Sequence, residues 1–163
     1  AKAVSMIPQI VNHTVEINLA DGSYSEGITL SGYVGKGSIT ITGNMTTPTN
    51  VVFSSRISVA RSTCYILLHG METTYTGGDS ISIDRNPGAV FLEKLVATSS
   101  TSTYAALHVL YSPSVYIQES TLSNHKYGIH ATGCLLYTSD AADDLLCVDL
   151  GGRRIIKKKT KTT

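Results

Sequence analysis

A short apolar motif recurs along this chain at a nearly fixed distance, and that recurrence restricts the fold more than any other feature. Tyr65-Ile66-Leu67, Val90-Phe91-Leu92 and Val115-Tyr116-Ile117 follow one another at intervals of 25 residues. Ile57, Ile81, Leu107 and Ile129 are spaced by 24, 26 and 22. Near the start, Ile17 and Leu19 precede Ile39 and Ile41 by 22. Periods of roughly 20–50 residues belong to stacked supersecondary units. Within each period the runs alternate apolar and polar residues, as in Val15-Glu16-Ile17-Asn18-Leu19 and Ile81-Ser82-Ile83. Period two with β-branched residues means strands that bury one face. Asp21-Gly22, Gly35-Lys36-Gly37, Gly77-Gly78 and Asn86-Pro87-Gly88 supply the turns between them.

No helical pattern of 10–15 residues separates the strands, which disfavours alternating strand-and-helix folds. The arrangement that satisfies the period is a parallel β-helix, an all-β solenoid in which each repeat is one coil. Equivalent residues then stack about 4.8 Å apart on successive coils. The reading places Leu67, Leu92 and Ile117 in one inward ladder, and Ile57, Ile81, Leu107 and Ile129 in another. Ala3, Val4, Ile7, Ile10 and Val11 suggest a short helix, interrupted near Pro8, that caps the first coil over residues 1–12.

Composition agrees with a coil that hides one side of every strand: 42% of the 163 residues are hydrophobic and 15% charged. The formal net charge of +1 argues against a general nucleic-acid partner. No run of about 18 apolar residues offers a membrane-spanning helix. The charge is unevenly placed, because residues 134–163 hold six of the 13 basic and four of the 12 acidic side chains, together with Cys134 and Cys147. Without them the charge is −1 and Cys64 stands alone, at a position that a small inward or turn residue explains.

The segment Cys134–Asp143, CLLYTSDAAD, resembles the translation of a transposase-type sequencing adapter. Val148–Ile156, VDLGGRRII, resembles the primer-binding part of the same adapter, and the residues between leave room for a barcode. The expectation is that 134–163 is a non-native, disordered tail, and that 1–133 is part of a longer β-helix domain.

The stretch Val15–Gly43, with Asp21, Gly22, Tyr24 and Glu26 at its turn, resembles the opening coils of pectin-lyase-like right-handed β-helix proteins. The Gly32–Ile41 block GYVGKGSITI, Pro48-Thr49-Asn50-Val51-Val52 and Cys64–Gly70 are most similar to bacteriophage and prophage tail or minor structural proteins, over about residues 7–133. That resemblance implies a receptor-contacting tail segment in a virion or at a bacterial surface. Its partners would be bacterial surface polysaccharide and other tail proteins; homotrimers are common among such tails. The alternatives are a polysaccharide lyase or glycoside hydrolase with catalytic coils beyond residue 133, and a bacterial surface adhesin. The polygalacturonase motifs are missing, and Leu68-His69-Gly70 lacks the first glycine of a Gly-His-Gly.

For acid–base chemistry the candidates are Glu93 and Glu119, which lie 26 residues apart, about one coil. His108 and His130 each follow a ladder residue and could share a metal on neighbouring coils, although no third ligand is evident and no cofactor is expected. His13, His69 and His125 read as surface or turn residues. Tyr111, Tyr116 and Tyr127, in a chain of nine tyrosines and no tryptophan, suit stacking on sugar rings. The plainer reading of each set is solvated surface acids, outward histidines and turn-supporting tyrosines.

Overall fold

In the computed structural model, which describes residues 2–99, 103–133 and 136–138, fourteen short strands wind into a parallel β-helix. They are β1 (Thr14–Asn18), β2 (Gly22–Tyr24), β3 (Ile28–Ser31), β4 (Ser38–Thr42), β5 (Val51–Phe53), β6 (Ile57–Ala60) and β7 (Tyr65–Thr73). There follow β8 (Ile81–Asp84), β9 (Val90–Thr98), β10 (Ala105–Leu110), β11 (Val115–Gln118), β12 (Thr121–Ser123), β13 (Tyr127–Thr132) and β14 (Leu136–Thr138). Every strand pairing is parallel.

Each coil contributes to three faces. The first face runs β1-β4-β7-β9-β11-β14 and the third runs β3-β6-β8-β10-β13. Strands β7 and β9 continue past a bend at Gly70 and Lys94, and their second halves join β2, β5 and β12 in a narrow second face. The five strands of the third face count five coils.

The expected ladder through Ile57, Ile81, Leu107 and Ile129 is present and extends back to Ile28. The other ladder needs correction. Leu68, not Leu67, pairs with Leu92, which pairs in turn with Ile117, because the coil from Ile66 to Val90 is 24 residues long, one shorter than the next. Leu67 therefore faces outward beside Phe91, and a one-residue slip of register exchanges the two faces of a strand. Likewise Ile17 pairs with Ile41, so the first interval is 24. Leu30, Ile39, Ile66, Leu68, Ile81, Leu92 and their stacked equivalents fill one continuous core.

The N-terminal helix is replaced by a single 3-10 turn, Val4–Met6, followed by extended chain. Pro8 disfavours helical backbone at Ile7, which is extended, and Ile10 bridges to Val34 instead. The segment still covers the first coil, since Ile7 and Val11 are buried and the Tyr33 hydroxyl donates to the Val4 carbonyl at 3.2 Å. At this end an apolar cavity of about 380 Å³ remains among Val4, Ile17, Leu19, Tyr24, Ile28 and Phe53. Within 134–163 only Leu136–Thr138 is described, a strand beside β11; the rest of the adapter-like segment, with Cys134 and Cys147, lies outside the described residues.

The corner between the third and first faces is itself a ladder. Gly32, Arg61, Arg85, Tyr111 and Gly133 each have φ between 45° and 76°, one per coil. After them come Tyr33, Ser62, Asn86 and Ser112, the last three fully buried. Each backbone N–H reaches the next coil's side chain: Tyr33 to Ser62 Oγ at 3.2 Å, Ser62 to Asn86 Oδ1 at 2.8 Å, Asn86 to Ser112 Oγ at 3.1 Å. Asn86 Nδ2 also donates to the Gly88 carbonyl at 2.8 Å. Left-handed backbone at non-glycine residues costs about 1–2 kcal/mol each, and this polar rail holds it in place.

Asn86→Ala orphans the Ser62 N–H and the Gly88 carbonyl together. At about 1–3 kcal/mol for each unsatisfied buried group, urea unfolding is expected to show a loss of about 3 kcal/mol, against less than about 0.5 kcal/mol for exposed Asn12→Ala.

Candidate functional site

The outward side chains of the first face form parallel columns, because the pairing is in register over successive coils. One column runs Glu16, Thr40, Leu67, Phe91, Tyr116. Its later members stack: the Phe91 and Tyr116 rings lie 4.3 Å apart at 13°, and Tyr65 stacks on Phe91 at 4.8 Å. The strip is aromatic on one coil after another and only partly covered, with Tyr65 38% exposed.

The neighbouring column is polar: Asn18, Thr42, His69, Glu93, Gln118. Thr42 Oγ1 lies 2.7 Å from His69 Nε2, and His69 Nδ1 faces Glu93 Oε2 at 3.6 Å. His69 Nδ1 is buried and has no hydrogen-bond partner among the described residues. Burial first, and the Glu93 carboxylate second, push the Tyr65 phenol up from its ordinary pKa of 10.0, so the two columns are electrostatically joined.

Of the tyrosines expected to bind sugar, Tyr116 belongs to this strip. Tyr111 occupies the left-handed corner, its ring against Gly133, and Tyr127 lies on the third face beside Lys126 and His130. Both are exposed, but the three do not gather into one site. Phe91 and Tyr65 complete the strip in their place; a one-residue error in the register of β7 concealed the outward line.

His108 and His130 do stack on adjacent coils, with centroids 4.9 Å apart at 8°. His108 Nδ1 is held by Asp79 Oδ2 at 3.0 Å. Among the described residues no group of three or more His, Cys, Asp or Glu is placed to hold a metal ion.

Glu93 and Glu119 do not occupy one rung. Glu93 pairs in register with Gln118, whereas Glu119 sits at the bend and faces Lys94 Nζ at 3.7 Å. His69 lies mid-strand in the polar column, and His125 joins Ser80 Oγ at 2.9 Å. Cys64 is buried, and burial pushes its thiol up. Among the described residues no helix is long and apolar enough to cross a membrane.

The chain matches no family model, no curated protein and no solved structure.

Because the Tyr65 phenol is raised in the folded state, its contribution to stability is complete below the ordinary tyrosine pKa and is lost as pH rises through the raised value. Glu93→Gln removes the negative neighbour and is expected to lower the Tyr65 titration, read from its Cζ chemical shift in alkaline solution.

Proposed function

We propose that this chain is a structural, receptor-contacting segment of a bacteriophage tail or tail-associated protein, and that its first face binds bacterial surface glycans. The observation that carries the reading is the stacked strip Tyr65, Phe91, Tyr116 lying beside Thr42, His69, Glu93 and Gln118. Sugars offer apolar ring faces and a rim of hydroxyls. Aromatic faces take the former, and carboxylate, imidazole and amide groups take the latter. Both columns repeat every coil at about 4.8 Å, which suits a linear polymer laid along the solenoid axis.

The parallel coil supplies stiffness, since each strand is bonded to the one before and the one after it. A rod of this kind reaches a cell surface without folding back. The virion setting rests on the resemblance read in the Gly32–Ile41 and Cys64–Gly70 blocks, and it carries with it other tail proteins at the ends of the segment and trimeric assembly as the corresponding oligomer.

Isothermal titration against a panel of bacterial O-antigen and capsular polysaccharides tests the reading. A binder is expected, with Phe91→Ala and Tyr116→Ala each weakening it about tenfold, the equivalent of the upper range for one aromatic contact, and Tyr127→Ala leaving it unchanged. Equal affinity in all three variants would overturn the assignment of the site.

A further inference from the structure

The polar column holds an order of groups that recognition alone does not require. Asn18, Thr42, His69 and Glu93 stand on four consecutive coils, each opposite the next. A hydroxyl meets one ring nitrogen of an imidazole at 2.7 Å, and the other ring nitrogen, buried and unbonded, faces a carboxylate oxygen at 3.6 Å. The carboxylate favours the tautomer with the proton on Nδ1, leaving Nε2 to accept from the threonine. Nucleophile, base and orienting group are recognised by geometry and role, not by sequence position, and such contacts are commonly long before substrate binds.

From this arrangement we propose an acyl-ester hydrolase site, with Thr42 as nucleophile, His69 as general base and Glu93 as the positioning residue. Thr42 Oγ1 attacks the ester carbonyl carbon while its proton passes to His69 Nε2. The tetrahedral intermediate collapses, the alkoxide leaves with that proton as an alcohol, and the acyl group remains on Thr42. A water molecule then attacks the acyl-threonine and gives a proton to His69. Breakage of the new Oγ1–acyl bond returns that proton to Thr42 and releases the carboxylic acid. Atoms and charge balance with water as the only co-reactant. Glu93 holds the ring and stabilises the imidazolium formed in both halves. Exposed Asn18, one coil before Thr42, is placed to donate its side-chain amide to the developing oxyanion. Thr42 and His69 are partly exposed, so a small acyl group such as acetyl can approach.

The proposal uses the polar column that also borders the glycan face, but its test is separate, because p-nitrophenyl acetate needs no aromatic strip. The full 163-residue chain incubated with this ester is expected to turn it over and to carry an acetyl group on Thr42, found by peptide mass spectrometry of an acid-quenched sample. Thr42→Val and His69→Gln should each lower kcat about 100-fold or more, Asn18→Ala by a comparable factor, and Thr42→Ser should keep turnover. Glu93→Gln should lower kcat with KM unchanged, a split that a purely structural role would not produce. Circular dichroism confirms that each variant keeps its strands. Absence of acetyl-Thr42 in the wild-type chain, or turnover that survives Thr42→Val, overturns the proposal. A chain that binds polysaccharide and shows either result fails this proposal alone.

Discussion

Everything in this structure depends on parallel strands stacking in register, coil upon coil. A residue's nearest neighbours are its counterparts one coil before and one coil after. Ile28, Ile57, Ile81, Leu107 and Ile129 illustrate the consequence inside: a continuous apolar rail along the axis. No single coil can bury its own inward side, so stability accrues with each neighbour added. The same constraint acts outside, where it sorts surface chemistry into lines.

Register must be protected, because slippage by one residue would turn the core outward. The corners do this. Their left-handed residues force a bend at the same place in each coil, at Gly32, Arg61, Arg85, Tyr111 and Gly133. Behind them, Ser62, Asn86 and Ser112 use side-chain oxygens where backbone carbonyls cannot reach. This buried polar rail specifies alignment in a core whose aliphatic residues would tolerate several. A second corner repeats the device more simply: Gly70, Lys94 and Glu119 bend, and Ser120 Oγ receives the Leu95 N–H at 3.0 Å.

The coil, its approximate period and the third-face ladder were legible from spacing alone, because that face keeps β-branched or leucine residues at every step. The first face was harder. Tyr65-Ile66-Leu67-Leu68 is apolar throughout, so alternation cannot say which residues point inward, and counting by 25 put Leu67 where Leu68 belongs. That single residue hid both columns: with Leu67 aligned to Leu92, Phe91 stands opposite Ile66 and His69 opposite Lys94, whereas the true register sets Phe91 beside Leu67 and Glu93 beside His69. The helical expectation at the start failed for a local reason, since five well-spaced apolar residues outweighed one proline that the backbone could not ignore. Glu93 was visible as a carboxylate on the right coil, but its partner is His69 and not Glu119, because Glu119 lies one step further round the bend.

The two outward columns show what in-register stacking can do with chemistry. When successive coils offer similar groups, as Phe91 and Tyr116 do, the result is additive: a strip whose contact area grows with length and whose geometry is set by the strand spacing. When they offer different groups, as Thr42, His69 and Glu93 do, the same spacing brings a hydroxyl, an imidazole and a carboxylate into sequence without a loop to position them. The distance between strands is close to what a hydrogen bond between side chains of adjacent strands needs, and the backbone ladder fixes it. Substituting one residue changes one group in a line and leaves the rail behind it intact. A solenoid of this kind can therefore pass from binding a polymer to acting on it through changes confined to a single outward column.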